Sequence, residues 1–208
     1  KKILNLNYKN KIVLVEPVSD TFLLLKNNFK KNDNLEFLNI GIGTKTSNAK
    51  IYKSLRGGDM NSLLKINEVG TNLVSNATVT SEEEVKIIDV NEFLKNYDLD
   101  KTLLKIDIEG YDFKVLKHIQ KEYLQQITFI LCEIQNVDMF EGQENNFKEE
   151  IEFFENNDFK LFGIDPFFIN PSTGQLIAID ALFVNKKTTP KNLDLSYNEK
   201  IGYPEIFK

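Results

Sequence analysis

The segment KTLLKIDIEGYD, residues 101–112, decides the fold class of this chain. Residues 101–108 carry mostly apolar and β-branched side chains, which predicts a strand, and Gly110 then breaks the pattern. The apolar spacing that follows predicts a helix from Tyr111 to about Gln126. A strand followed at once by a helix is the unit from which α/β layer proteins with a mainly parallel sheet are built.

The same alternation extends along the whole 208-residue chain, which we interpret as a single domain, 1–208. The last two predicted strands have no helix between them, so we expect them to be antiparallel. The stretch 55–84 is rich in Ser, Thr, Asn and Gly and is interpreted as a long irregular loop with one helical turn near 61–66. Further strands are predicted at 12–16, 35–40, 49–54, 85–88, 127–134, 159–164 and 175–184, further helices after residue 19 and at 90–97 and 146–156, and a surface tail at 199–208.

Charge and composition exclude several classes of function. The formal net charge is −5 and Arg56 is the only arginine, which argues against a nucleic-acid partner. No run approaches the roughly 18–20 apolar residues of a membrane span, and no signal peptide is visible at the start, so we expect a cytoplasmic protein. The single Cys132 and single His118 predict a buried inert thiol, a surface imidazole and no metal site. The oligomeric state is not decided by these features.

Carboxylates follow three of the predicted strands. Glu16 ends the first, Asp107 and Glu109 end the strand of the opening segment, and Glu133 ends the next. In an open parallel sheet, ligands bind beyond the carboxyl ends of the strands, so these groups predict a binding site along one sheet edge. Lys105 shares a strand face with Asp107 and Glu109. The alternatives are a local ion-pair network, or a strand that ends earlier.

Two positions on the cofactor side have a specific chemical interpretation. A carboxylate at the end of such a strand can accept both ribose hydroxyls of an adenosine cofactor, which is our hypothesis for Glu16. The alternative is a carboxylate that stabilises the start of the following helix. Asn39 precedes Gly41-Ile42-Gly43, where its amide and the open backbone can meet an adenine edge. The alternative for Asn39 is a plain exit from strand to turn.

These motifs resemble the FkbM family of S-adenosylmethionine (SAM) dependent methyltransferases over about residues 11–186. The resemblance implies a class I, Rossmann-like fold with an antiparallel last strand, and O-methylation of a sugar, a glycan or another small-molecule hydroxyl. It also implies a cofactor site formed by Glu16, Pro17, Asn39, Ile40, Gly41 and Asp107. The residues that carry the resemblance are Val15-Glu16-Pro17, Asn39 to Gly43, Leu104 to Asp112, Glu133 and Asp180 to Val184.

The resemblance also suggests roles at the acceptor side. We expect Asp107 near the methionine part of SAM, Glu109 near the acceptor, and Lys105 as a partner that sets the pKa of one of them. Tyr111, Glu133 and the 55–84 loop are expected to shape the acceptor pocket. The polar side chains of that loop include Ser62, which offers a hydroxyl of the kind that binds sugars.

The family's glycine-rich first strand is not found in residues 1–11, because Ile3 to Leu6 leaves no room for a crossover helix before Ile12. We expect that strand to lie upstream of Lys1, or to have been lost. In the second case the chain is a degenerate methyltransferase fold that serves as a binding or scaffold module. A nucleotide-sugar or NAD enzyme is a third possibility, which the absence of a G-x-G-x-x-G motif disfavours.

Overall fold

Strands and short helices alternate along the chain in this computed structural model, which describes residues 10–29, 32–56, 60–144 and 147–189. The segments 3–6 and 199–208 lie outside the described residues. The elements in chain order are β1 (Ile12–Val15), α1 (Ser19–Phe29), β2 (Leu35–Leu38), β3 (Gly41–Gly43), β4 (Ser47–Ser54), α2 (Glu68–Leu73), β5 (Val79–Asp89), α3 (Val90–Leu94), β6 (Leu103–Ile106), α4 (Asp112–His118), α5 (Lys121–Leu124), β7 (Phe129–Gln135), α6 (Phe147–Asn156), β8 (Phe159–Ile169) and β9 (Leu176–Asn185).

The described strands form three hydrogen-bonded sheets, in the orders β1-β2, β3-β5-β4 and β6-β7-β9-β8. Pairing is parallel for β1–β2, β3–β5 and β6–β7, and antiparallel for β4–β5, β7–β9 and β8–β9. The α/β class and the antiparallel pairing of the last two strands are therefore confirmed. A single, mainly parallel sheet is not what the described strands form.

The largest core cluster lies where α4 and α6 cover one face of the β6–β9 sheet. Alternate side chains of β7, including Ile130, Cys132 and Ile134, point into it because side chains alternate along a strand. Burial raises the pKa of the Cys132 thiol well above its usual value, so the expected buried and unreactive thiol is confirmed. Phe154 of α6 stacks on Phe183 of β9 with ring centroids 3.7 Å apart.

The interpretation of residues 55–84 as an irregular loop is wrong in its second half. Asn67 caps α2 by accepting a hydrogen bond from the Gly70 amide at 2.9 Å, and β5 begins at Val79. The first residues of β5 are mostly polar and do not alternate with apolar ones, so the sequence gives no strand signal there. They form a strand because they pair antiparallel with β4. Lys50 of β4 bonds Glu82 across that pair at 2.7 Å.

The long helix predicted from Tyr111 is also wrong, because it breaks into α4 and α5. The side chain of Asn91 explains the break. Its amide donates to the His118 carbonyl at 3.0 Å, and its oxygen accepts from the Gln120 amide at 2.7 Å, so the backbone leaves the helix at this point. His118 is exposed, as expected, and its Nε2 lies 2.8 Å from Oδ2 of Asp89.

We predict that Phe154→Ala destabilises the protein. The side chain is fully buried and packs against Phe153, Phe159 and Phe183, so its removal leaves a cavity that costs about 3–5 kcal/mol. Urea unfolding monitored by circular dichroism measures the loss. Phe167→Ala is the matched control, because Phe167 is 52% exposed and its truncation should cost less than about 1 kcal/mol. Equal losses in the two variants would contradict this picture of the core.

Candidate active site

The turn between β6 and α4 carries the acidic segment. β6 ends at Ile106, two residues earlier than predicted, so Asp107 and Glu109 lie in the turn and not in the strand. Lys105 and Asp107 are exposed, and the expected row of three charges along a covered strand face is therefore wrong. Glu109 has a φ of 55° and Gly110 a φ of 83°, both in the left-handed region that a non-glycine residue adopts at a cost of about 1–3 kcal/mol.

Asp112 holds this turn in place. Its side chain is buried, and the carboxylate accepts hydrogen bonds from the amides of Ile108 at 3.0 Å and Gly110 at 3.1 Å. A Cβ at Gly110 would lie 2.6 Å from a ring carbon of Phe140, so only glycine fits here. Burial, opposed by these amides and reinforced by Asp107, raises the pKa of Asp112 to about 7.

Three carboxylates converge at the end of this turn. The parallel register of β6 and β7 pairs Ile106 with Cys132, and these two residues are followed in the chain by Asp107, in the turn, and Glu133, in β7. One oxygen from each of Asp107, Glu109 and Glu133 lies within 4.8 Å of the others. We call these three residues the acidic cluster. Such a set can surround one cationic group, either a positively charged part of a cofactor or a divalent metal ion.

Glu133 is the most perturbed member of the acidic cluster. Burial raises its pKa to about 8, and the nearby charges of Asp112, Asp107 and Asp180 act in the same direction. Its Oε1 accepts a hydrogen bond from the Gln135 amide at 2.6 Å, which opposes this shift. The carboxyl group is thus poised to exchange a proton near neutral pH.

A relay of amides fixes Glu133. The side-chain amide of Gln143 donates to the Gln135 oxygen, and Gln143 Oε1 accepts from the backbone amides of Met139 at 2.8 Å and Phe140 at 3.0 Å. Each amide in this series of hydrogen bonds has one orientation that satisfies its neighbours. The series therefore fixes the orientation of the Glu133 carboxyl group.

Lys105 forms an ion pair with Asp107 beside the acidic cluster, as the sequence suggested for one of its carboxylates. Partial burial favours the neutral amine, but the bond to Asp107 outweighs it and the pKa of Lys105 is raised. Both side chains are about half exposed, so this pair orients Asp107 more than it stabilises the fold. The local ion pair, which was one of the alternatives for these charged residues, is therefore present beside the acidic cluster.

The polar loop reaches the site through Ser62. Its side chain is buried, and Oγ donates to the Glu109 carbonyl at 2.6 Å while accepting from the Leu64 amide at 2.9 Å. Backbone bonds between Ser62 and Tyr52 anchor the same loop to β4. The Ser62 hydroxyl therefore positions Glu109, and its expected role as an acceptor ligand is wrong because the group is already engaged.

The cofactor-side residues form a second, separate turn. Glu16 Oε1 accepts from the Val18 amide at 2.8 Å just before α1, and the Asn39 amide donates to the carbonyls of Glu16 at 2.9 Å and Pro17 at 3.0 Å. Burial raises the pKa of Glu16, against the effect of the Val18 bond and together with the charge of Glu83. One of the two carboxylate oxygens of Glu16 therefore accepts a backbone amide just before α1, in agreement with the alternative that Glu16 stabilises the start of this helix.

Ile40 and Gly41 continue from this turn into β3. Ile40 is half-buried, and a Cβ at Gly41 would lie 2.6 Å from the Ile87 side chain, so Gly41 is required for close packing of β3 on β5. In the described part of the chain, β1 pairs only with β2 and β6 only with β7. The expected single edge holding both Glu16 and the acidic cluster is therefore not formed by described strands. Tyr111 is half-buried, with Lys114 Nζ 5.4 Å from its ring centroid.

Sequence reasoning missed the residues that hold the acidic cluster. Asp112 was identifiable in principle, since an aspartate at the start of a helix and two residues after a glycine often accepts backbone amides of the preceding turn. Gln135 and Gln143 carried no such signal, because their contacts depend on how two distant segments meet.

None of the described helices has both the length and the apolar character that crossing a membrane requires.

The mixed α/β architecture of the described residues is consistent with a methyltransferase fold. A family model described as the methyltransferase FkbM domain matches residues 2–161, and the chain belongs to this family. The family resemblance seen in the motifs is confirmed, whereas the match stops before the last strand and does not include Asp180 to Val184. Comparisons with curated proteins and with solved structures give no match.

Glu150 of α6 adds a further buried carboxyl group near this site. It is 1% exposed, and its Oε2 has no hydrogen-bond partner among the described residues. Burial raises its pKa to about 8, the charges of Asp112 and Glu133 act in the same direction, and that of Lys117 opposes them. The folded protein therefore holds Glu150 protonated at neutral pH.

We predict that stability falls as pH rises and that Glu150 is one cause. A carboxyl group with a folded pKa of about 8 and an unfolded pKa of about 4.3 stabilises the fold at low pH and loses this effect as pH rises toward 8. Glu150→Gln should remove about 1–3 kcal/mol of the decline between about pH 5 and about pH 8.5. Urea unfolding at several pH values measures it. Glu155→Gln, exposed on the same helix, is the control, and an unchanged slope in Glu150→Gln would refute the assignment.

Proposed function

We propose that this protein is a SAM-dependent O-methyltransferase that acts on a hydroxyl of a sugar, a glycan or another small molecule. One observation supports it most: in a chain of the FkbM family, three carboxylates converge where two parallel strands end. In this proposal the three sheets belong to one Rossmann-like layer. The reaction takes place in the cytoplasm, because a single buried Cys132 suits a reducing compartment.

The donor chemistry of the site fits SAM. When bound, SAM supplies an electrophilic methyl group on a positively charged sulfur. Burial raises the pKa of Glu133 most and the neighbouring charges of Asp112, Asp107 and Asp180 raise it further, so a cation beside this group is favoured. Asp107 binds the methionine part. Glu16 binds the ribose, and Asn39, with Pro17, Ile40 and Gly41, lines the adenine.

The acidic cluster also suits the acceptor. Methyl transfer requires an oxygen nucleophile aligned with the bond that breaks, and a carboxylate that accepts a hydroxyl hydrogen bond provides this alignment. Glu109 takes that role, held by Ser62 and by the turn that Asp112 fixes. Glu109 receives the proton of the alcohol through this hydrogen bond, and the ionised form of Glu133, whose pKa of about 8 lies near the working pH, takes the proton up from Glu109 within the cluster. Lys105 stays paired with Asp107.

The proposed acceptor is not a nucleic acid. A net charge of −5 repels a phosphate backbone, and one arginine cannot form a basic track along it. Hydroxyl groups, in contrast, donate to carboxylates and match the acidic cluster. Labelled methyl transfer to short RNA, in place of sugars or glycolipid head groups, would contradict this proposal.

We predict that Glu16→Ala weakens SAM binding. Loss of the charge-assisted hydrogen bonds to the ribose should cost about 1.5–3 kcal/mol, measured by isothermal titration calorimetry. Asp33→Ala is the control, because Asp33 is exposed in the turn before β2 and outside the proposed site. Equal affinities in Glu16→Ala and the wild type would exclude the ribose role. A wild-type protein that does not bind SAM would favour the binding or scaffold module.

We predict that Asp107→Asn and Glu109→Gln each lower turnover by about 10²-fold or more while the fold is kept. Transfer of a radiolabelled methyl group to a panel of sugars and glycolipid head groups measures activity, and circular dichroism checks folding. Glu133→Gln should in addition remove the rise of the rate as pH approaches 8. Wild-type rates in both of the first two variants would show that the catalytic edge is elsewhere, and unfolding of both would indicate a structural ion-pair network.

A further inference from the structure

A pocket of about 220 Å³ opens beside Tyr111, between the β3–β4 connection and the polar loop. We call it the Tyr111 pocket. Its lining includes Gly43, Thr44, Lys45, Ser47, Leu63 and Tyr111. A Cβ on Gly43 would lie 2.7 Å from the Ile87 side chain, which lines the same pocket, so glycine keeps this part of the floor close-packed.

Two residues that line the Tyr111 pocket are close in the chain to residues that form or hold the acidic cluster. Leu63 follows Ser62, whose hydroxyl bonds the Glu109 carbonyl at 2.6 Å, and Tyr111 follows Glu109 by two residues. Two residues span at most about 7 Å, so the backbone of Tyr111 at the pocket lies within that distance of the backbone of Glu109.

The polar groups of the pocket are opposite in character to the acidic cluster. Thr44 and Ser47 contribute hydroxyl groups and Lys45 an ammonium group. Lys50 also lines the pocket, but its ammonium already bonds Glu82 at 2.7 Å. Within the described residues, no carboxylate lies at ion-pair distance from Lys45. One uncompensated cation beside two hydroxyl donors is suited to an anionic oxygen group.

The size of the pocket restricts what it holds. Its volume is below the roughly 300 Å³ at which whole small-molecule sites begin, so it accommodates one functional group and part of a ring. The Tyr111 ring and the Leu63 side chain provide an apolar wall for such a ring. The two neighbouring sites thus present negative charge at one end and positive charge at the other.

We propose that the Tyr111 pocket binds a carboxylate or phosphate group of the methyl acceptor, with Lys45 as its counter-charge and the hydroxyls of Thr44 and Ser47 as donors. This inference rests on the proposed function and narrows it: the acceptor is an acidic or phosphorylated sugar, not a neutral one. The acceptor hydroxyl lies at the acidic cluster while its anionic group is held away from those carboxylates, which fixes the orientation of the molecule.

The test compares matched probes that differ in charge. Glucuronate, glucose 6-phosphate and glucose are titrated into the full chain, and binding is followed by ligand-observed NMR, which requires no methyl transfer. The two anionic probes should bind at least about fivefold more tightly than glucose, the effect of one partly exposed ion pair, and this preference should weaken as salt is added. Glucuronate and glucose 6-phosphate distinguish the carboxylate from the phosphate form of the proposal.

Three variants separate the pocket from general surface charge. Lys45→Gln should remove the preference for the anionic probes and leave glucose binding unchanged. Ala49→Leu should fill the pocket, since Ala49 lines it, and weaken all three probes. Lys86→Gln is the matched control, because Lys86 lies on β5 next to Ile87 but on the opposite face of the strand. If Ala49→Leu unfolds, the comparison of Lys45→Gln with Lys86→Gln decides alone.

The outcomes distinguish this inference from the proposed function. Equal binding of glucuronate, glucose 6-phosphate and glucose, or an anion preference that Lys45→Gln leaves intact, overturns the pocket assignment. Charge-selective binding that depends on Lys45, without labelled methyl transfer from SAM, supports the pocket and counts against the methyltransferase activity. Methyl transfer to glucose but to neither anionic sugar supports the methyltransferase activity and counts against the pocket assignment.

Discussion

The buried carboxylate of Asp112 is the constraint on which the site depends. By accepting the amides of Ile108 and Gly110, it ends β6 at Ile106 and forces Glu109 into a left-handed conformation that its side chain does not favour. Gly110 then packs against Phe140, and the Glu109 carbonyl meets Ser62. Contacts from three separate segments hold this one turn in its strained conformation, and the acidic cluster forms as a result.

The same arrangement brings buried and partly buried carboxyl groups close together. Asp112, Glu133 and Glu150 each have a raised pKa, mainly because they are buried; in addition the charge of Asp112 raises the pKa of Glu133 and of Glu150, and that of Glu133 raises the pKa of Glu150. A fold optimised only for stability would replace such groups with apolar ones, since burying a carboxyl group costs free energy. Their proximity to one another is the pattern expected of a site that gives up stability for binding or chemistry.

Much of the fold was predictable because apolar runs mark the strands that are buried. The ranges expected for β1, β7 and β9 agree with the structure to within about two residues, which is the usual uncertainty of element ends. The errors arose where a distant contact overrides local preference. The first half of β5 is a strand because β4 pairs with it, and α4 ends early because Asn91 binds its last turn. Neither contact leaves a mark in the local sequence.

The candidate site was predictable to the same degree and for the same reason. That Asp107 and Glu133 meet follows from the parallel register of two apolar strands, whereas the amide relay through Gln135 and Gln143 depends on tertiary packing. The turn at Glu16 and the turn at Asp107 are each braced by their own local hydrogen bonds, Asn39 for one and Asp112 for the other. Two sites that are preorganised separately can be bridged by one elongated ligand at little cost in ordering. In the function proposed above, the adenosine and methionine ends of a single cofactor are such a bridge, so each turn contributes binding energy without having to be rebuilt by the other.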